Sequence, residues 1–367
     1  MKLTLLRESL LEPLQQVMGV VERRQTLPIL ANVLLSVSGD ALSITATDLE
    51  IELIARATLE TPVEEMVQFT TSGRKLLDIC RTLPEKAVLE FQKDKERLIA
   101  RSGRSRFTLS TLPVESFPNF DIGQAKLSLS IDQLVLHRLL QRTHFAMAQQ
   151  DVRYYLNGLL LDAKDNELRA VATDGHRFAM NAASITYTSE PAKMILPRKG
   201  VLELLRLLKN ENMAMELAIS ENQLRLQGAN FTFTSKLIDG RFPDYEHVIP
   251  KDAGKSVTLA RDTLKEALMR VAILSNEKFR AIRLQLRNGL LHIIANNPEQ
   301  EEAEELLSVD YSGEDLDIAF NVTYLLDVIN AISSAEIKLT FIDTNSRIFI
   351  EEVGSPSDLF LVMPLQL

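Results

Sequence analysis

Thr173-Asp174-Gly175-His176-Arg177 sets a carboxylate, an imidazole and a guanidinium within five residues, the raw material of general acid–base catalysis. Such a pair also needs a partner or nucleophile at hydrogen-bond reach, and the sequence offers no further His or nucleophile motif to supply one. Asp-Gly is equally a common turn signal between strands. Cys80, the single cysteine, falls in the apolar register of a helix, which suits a small core residue better than a reactive thiol. One cysteine also excludes a disulfide framework and a cysteine-cluster metal site. No GxxxxGK(S/T) loop, GxGxxG turn, HExxH helix or metal-spaced carboxylate motif occurs, so no cofactor and no metal is expected. These residues point away from catalysis, and a hydrolase using Asp174 and His176 stands as the alternative.

Other groupings suit binding. Gln150, Arg153, Tyr154 and Tyr155 interleave polar, basic and aromatic groups, a composition fit for a nucleic-acid surface. Arg97, Arg101, Arg104 and Arg106 form a basic stretch that ends in a strand, with Phe107 and Leu109 alternating about Thr108. Glu299-Gln300-Glu301-Glu302-Ala303-Glu304-Glu305 is intensely acidic. Like charges so dense destabilise a strand unless opposite charge lies nearby. Complementary patches far apart in the chain imply head-to-tail association, which closes into a ring or runs on as a filament. Leu359-Phe360-Leu361-Val362-Met363-Pro364-Leu365-Gln366-Leu367 is apolar where a chain end is usually polar, so it should be tied into a sheet beside a groove.

The elements that must position these groups recur. Leu42-Ser43-Ile44-Thr45-Ala46-Thr47-Asp48 returns as Leu168-Arg169-Ala170-Val171-Ala172-Thr173-Asp174 and as Leu291-His292-Ile293-Ile294-Ala295-Asn296-Asn297, at offsets of 126 and 123. Leu76-Leu77-Asp78, Val201-Leu202-Glu203 and Leu325-Leu326-Asp327 keep the same spacing, as do Phe117-Pro118-Asn119-Phe120 and Phe242-Pro243-Asp244-Tyr245. Each copy reads as two strand–helix–strands halves. Apolar residues at i, i+3, i+4 and i+7 predict helices over 8–18, 73–81, 132–142, 198–209, 262–271 and 323–332, with Asp262 as an N-cap. The fold class is α+β with three similar domains, 1–122, 123–252 and 253–367, divided near Ile122–Ala125 and Lys251–Gly254.

At 367 residues, 46% hydrophobic and 25% charged, the chain can bury two or three cores. No signal peptide and no run near the roughly 20 apolar residues of a membrane span is present, so a cytoplasmic protein is expected. The net charge of −9 argues against nucleic acid, but its distribution does not. Residues 7–24, 74–81, 132–144, 198–209, 261–270 and 323–330 together carry 15 Lys/Arg against 9 Asp/Glu. Basic helices on an acidic body suit one surface that faces a polyanion.

Asp151-Val152-Arg153-Tyr154-Tyr155-Leu156-Asn157-Gly158, Ala172-Thr173-Asp174-Gly175-His176-Arg177, Asp239-Gly240-Arg241-Phe242-Pro243-Asp244-Tyr245 and the Asn296 to Glu305 run resemble the bacterial DNA polymerase III β subunit family, the sliding clamps, and the resemblance extends from Met1 to Leu367. It implies a homodimeric head-to-tail ring around duplex DNA, helices lining the pore, acting as a processivity factor without catalysis of its own. It carries DNA contacts to Arg24, Gln150, Tyr154, Tyr155, Arg198 and Lys199. It implies a dimer contact between Lys75, Arg97, Arg104, Arg106, Phe107 and Leu109 and the other subunit's Ile273, Leu274, Glu299, Glu301, Glu302 and Glu305. It further implies a cleft for short peptides of the replicative polymerase α subunit, clamp-loader subunits, other polymerases and repair proteins. That cleft comprises Leu156, Thr173, Gly175, His176, Arg177, Phe178, Pro243, Val248, Asn321, Tyr324, Leu361, Val362, Met363 and Pro364. The sequence departs from the family pattern near Asn345 and Arg347 and at Gln366, on the rim of that cleft.

Overall fold

Lys2-Leu3-Thr4-Leu5 alternates exposed and buried side chains, as a strand with one face on a core must, and the computed structural model forms it as β1 (Lys2–Leu6) with Leu3 and Leu5 buried. The structure describes residues 2–21, 27–187, 190–209, 211–249, 254–342, 347–355 and 357–365. Leu10, Leu14 and Val17 share the buried face of α1 (Arg7–Val17). The first repeat continues through β2 (Asn32–Thr47), β3 (Ile51–Ser72), α2 (Gly73–Thr82), β4 (Val88–Asp94), β5 (Arg97–Ser102) and β6 (Ser105–Ser110). The second runs β7 (Leu127–Asp132), α3 (Gln133–Thr143), β8 (Gly158–Lys164), β9 (Glu167–Thr173), β10 (Arg177–Ser184), β11 (Ala192–Pro197), α4 (Arg198–Leu207), β12 (Ala214–Ile219), β13 (Gln223–Gln227) and β14 (Phe231–Lys236). The third runs β15 (Lys255–Ala260), α5 (Arg261–Val271), β16 (Ala281–Arg287), β17 (Leu290–Asn296), β18 (Glu302–Ser308), β19 (Leu316–Asn321), α6 (Val322–Ala331), β20 (Glu336–Phe341), β21 (Ile348–Glu352) and β22 (Asp358–Val362). Strand–helix–strands therefore occurs twice per repeat. In the first copy β2 and β3 form one long bulged hairpin where the second copy has four strands.

Asp262 is not the N-cap expected of it: Ala260 flanks α5 without a side-chain cap, and Asp262 sits in the first turn holding Arg261 at 2.7 Å. Asn321 does cap α6, its side chain accepting from the Thr323 N–H at 2.9 Å.

The chain forms two compact units, Met1–Leu134 with Leu202–Leu237, and Val135–Val201 with Ile238–Leu367. The first holds sheets β1-β4-β5-β6 and β2-β3-β14-β13-β12-β7. The second holds β11-β8-β9-β10-β22-β21-β20-β15 and β18-β17-β16-β19. Repeats are thus not closed bodies, because backbone ladders run across them: β14 pairs with β3 (Phe233↔Leu53) and β10 with β22 (Phe178↔Leu361). Residues 122–125 have no regular structure, and 251–253 lie outside the described residues. Phe69 and Phe91, rings 5.6 Å apart, anchor the first unit's core; Phe320, Phe341, Phe349 and Phe360 are fully buried in the second. Among the described residues no helix is long and apolar enough to cross a membrane.

Phe233 is fully buried on the strand that joins two repeats. Phe233→Ala should cost about 3–5 kcal/mol in urea unfolding, while Gln227→Ala, at an exposed position on β13, should stay within about 0.5 kcal/mol.

Candidate functional site

Thr173-Asp174-Gly175-His176-Arg177 links β9 to β10 as a fully bonded turn. The Thr173 hydroxyl donates to the Arg177 carbonyl (2.7 Å) and accepts from the Gly175 N–H (3.1 Å). Asp174 Oδ1 accepts from the N–H groups of His176 (2.9 Å) and Arg177 (3.0 Å), and Oδ2 accepts from Arg177 Nε (3.1 Å). The first repeat builds the same turn. Thr47 donates to the Ile51 carbonyl at 2.8 Å, and Asp48 Oδ1 accepts from the N–H groups of Glu50 and Ile51 at 2.9 and 2.7 Å. Leu49 takes φ +75° where Gly175 takes +88°. Asp174 is therefore a turn-forming acceptor with its oxygens committed, not one half of an acid–base dyad. Gly175 has its own reason: a Cβ there would lie 3.2 Å from Arg153 Nη2, which crosses the turn to donate to the Asp174 carbonyl.

The turn is the lip of an apolar cleft of about 240 Å³ within the second unit. Pairing of β10 between β9 and β22 brings Phe178 opposite Leu361, and the Met363 N–H continues the ladder onto the His176 carbonyl at 2.7 Å. Of the residues that the resemblance carries to a cleft, Leu156, Thr173, Gly175, Arg177, Phe178, Pro243, Val248, Leu361 and Met363 line this one. Val362 does not: it alternates to the opposite face and is fully buried. His176, Asn321 and Tyr324 are not among the lining residues. The His176 ring stacks on Tyr324 at 6.1 Å, and the Arg177 guanidinium lies 4.7 Å over the same ring while pairing with Asp327. Pro364, half-buried after β22, is not among the lining residues either. Arg347, expected on the rim, lines the cleft, as do four residues that were not expected there: Arg153, Phe242, Asp244 and Tyr245. Phe242, Asp244 and Tyr245 stand out in the sequence as a repeat marker and within a motif of the family, with only Pro243 among them assigned to the cleft. Tyr245 stacks on Phe178 at 6.4 Å, and its hydroxyl donates to buried Asp162 at 2.8 Å; burial pushes its phenol up. Asn345 and Gln366 lie outside the described residues.

Of the residues expected on a nucleic-acid surface, Arg24 lies outside the described residues. Gln150 is exposed at φ +56°, and Tyr154 and Tyr155 meet edge-on at 5.8 Å. Tyr154 is 56% exposed, whereas Tyr155 packs against the cleft's core. Arg198 opens α4, its N–H on the Asn157 carbonyl (3.0 Å) and its guanidinium on that of Met147 (3.3 Å), with Lys199 beside it. The cations of the other helices are partly spent within the chain, as Arg142 on Glu352 and Arg270 on Glu305 show.

Among the described residues each of the four sheets ends in two edge strands, and two of these carry the charged stretches: β6 in the first unit and β18 in the second. On and near β6, Lys75, Arg97, Arg104 and Arg106 are exposed and Phe107 half-buried, but Leu109 is 8% exposed and belongs to the unit's own core. Around β18, Ile273, Glu299, Glu301 and Glu302 are exposed and Leu274 is half-buried. Glu305 is already engaged by Arg270 at 2.5 Å, which holds its carboxyl below the usual range. Leu306, 61% exposed, was not singled out, although strand alternation from buried Leu307 marks it as outward. Among the described residues no His/Cys/Asp/Glu group is arranged to hold a metal.

Models of the DNA polymerase III beta subunit match the chain along its length: the N-terminal domain over residues 1–121, the central domain over 130–244 and the C-terminal domain over 246–366. The beta sliding clamp of Pseudomonas putida is 52% identical over 368 residues, and that of Escherichia coli K12 49% over 367, each covering 100% of both chains. The crystal structure of the DNA polymerase III subunit beta from Pseudomonas aeruginosa superposes with a TM-score of 0.96 at 50% identity over 100% of both chains. A Pseudomonas aeruginosa sliding clamp bound to griselimycin gives 0.96 at 51% identity.

Arg153 donates to both oxygens of Asp151, at 3.0 and 2.8 Å, and holds that carboxyl at a pKa of about 2. The folded value is depressed, so the pair is intact above the ordinary carboxylate pKa and is lost as pH falls through about 2. Carboxyl-carbon NMR should show Asp151 titrating there, and Arg153→Gln should return it toward the ordinary range.

Proposed function

The chain belongs to the DNA polymerase III beta subunit family, and from that premise we propose that two copies close head-to-tail into a ring around duplex DNA. It is a sliding clamp, an accessory processivity subunit of a DNA polymerase and not itself a catalyst. The ring would comprise six domains, three per chain at 1–122, 123–252 and 253–367, and would work in the cytoplasm. The observation that carries the closure is a pair of unpaired sheet edges of opposite charge. One is β6 with Arg104 and Arg106; the other is β18 with Glu302, beside Glu299 and Glu301. A strand edge is satisfied by another strand, and unlike edges on one chain give a heterologous contact that closes by rotation. Exposed Ile273 supplies apolar area beside the acidic edge.

Topological retention asks little of the DNA contacts. Gln150, Tyr154, Tyr155, Arg198 and Lys199 would touch phosphates without reading bases, and Arg24 would join them. The cleft is proposed to take an apolar peptide segment from the replicative polymerase α subunit, clamp-loader subunits, other polymerases and repair proteins. Its floor of Leu156, Phe178, Val248 and Leu361 provides the anchor pocket, while Arg153, Arg177 and His176 supply polar contacts at the lip.

The protein should stay on circular duplex DNA and slide off once the same DNA is linearised; equal retention on both would overturn the ring. Light scattering should give twice 41.3 kDa, and Arg104→Glu should shift the mass toward one copy, an effect reproduced mildly by raised salt. His176→Ala should weaken partner-peptide binding by about tenfold, or 1.4 kcal/mol, with retention on circular DNA unchanged.

A further inference from the structure

We propose that the first unit carries a second docking groove, one that takes an aromatic side chain presented by an extended, basic segment of a partner protein. The repeat itself identifies the occupant. Positions 61, 187 and 311 correspond, at spacings of 126 and 124, and each is followed three residues later by a glutamate: Glu64, Glu190 and Glu314. In the second and third repeats the position is tyrosine, and Tyr187 and Tyr311 are 6% and 7% exposed. Both bond the carbonyl of that glutamate, Tyr187 to Glu190 and Tyr311 to Glu314, the latter at 2.6 Å. In the third repeat the space is closed further by the Lys255–Glu314 ion pair at 2.7 Å, with Lys255 the first residue of β15.

The first repeat has Thr61 instead, and it is exposed. A cleft of about 400 Å³ opens beside it, with Thr61, Leu59 and Val63 on one wall and Leu3 and Leu5 on the other. That lies within the range of roughly 300–1,000 Å³ of sites that accept ligands. All five residues of β1 line it, and β1 pairs with β4 alone, so its second edge is a template for an added strand. An aromatic residue on that strand would occupy apolar space of the kind the other repeats fill with their own tyrosine, gaining large contact area at low entropic cost. The charge of the rim selects the segment around it. Glu60 lines the cleft with Lys2, and Glu64 and Glu65, exposed, follow directly on lining Val63, a balance that favours lysine or arginine beside the aromatic anchor.

The test uses the full-length protein and a lysine–valine–lysine–tyrosine–lysine–valine peptide. Methyl NMR should show saturable shifts at Leu59 and Val63, with Leu361 and Met363 unmoved. Replacing the peptide's tyrosine by alanine should weaken binding at least about tenfold. Thr61→Tyr should do the same by filling the cleft from within. Should that variant fail to fold, the double variant Glu60→Lys with Glu64→Lys decides, since it reverses the rim and leaves the floor intact; the same loss is expected. Shifts confined to Leu361 and Met363, no saturable shift at Leu59, or binding unchanged in the folded variants would overturn the proposal.

Discussion

Backbone N–H and C=O groups in a sheet have to be paired, and most of this molecule follows from how that requirement is met at the joins between repeats. Two of the four sheets are shared between copies. β3 of the first copy is continued by β14 of the second, residue for residue from Ile51–Ser235 to Ala55–Phe231. β10 of the second is continued by β22 of the third. The apolar side chains on those ladders, Phe233 and Leu53, Phe178 and Leu361, then share cores that belong to two copies at once. The two four-stranded sheets are not joined in this way, and among the described residues β6 and β18 are edge strands of them, as are β1 and β19.

The same joining explains where the apolar cleft forms. Pairing β10 to β22 sets the turn after β9 against the end of the chain, so that His176 and Met363 share a backbone hydrogen bond. The turn needed no new design. Thr47-Asp48 and Thr173-Asp174 bond their loops alike, and both put the next residue at positive φ. Specialisation came from substituting onto that frame. Gly175 clears room for Arg153, and Arg177 reaches across to Tyr324 and Asp327. Buried Tyr187 and Tyr311 against exposed Thr61 show the same habit at another position of the repeat.

Much of this was legible in the residues. The apolar spacings located all six helices to within two or three residues, since burying one stripe demands that period. The apolar end from Leu359 to Met363 had to be tied into a sheet, and it is β22 and its continuation. Other side chains sit where residue type alone does not place them. Val362 shares its neighbours' chemistry, but alternation turns it away from the cleft. Leu109 and Glu305, which the resemblance carries to a dimer contact, are each used inside their own unit, one by the core and one by Arg270. Arg153 read as part of a basic–aromatic cluster, while its guanidinium braces the turn at Asp174.

The sequence by itself determined the threefold repeat, the α+β class and the lack of a recognisable catalytic motif. These are consequences of periodicity and residue type, which are local. Only the tertiary structure decided which carboxylates and guanidiniums are consumed within the chain, which copies share a sheet, and where a repeat is left unfilled. Each of these depends on residues between about 35 and 210 positions apart meeting in space: Arg270 with Glu305, Arg142 with Glu352, Phe231 with Ala55. The hydrogen bonds and burial that settle them are made by the fold and leave no periodic trace along the chain.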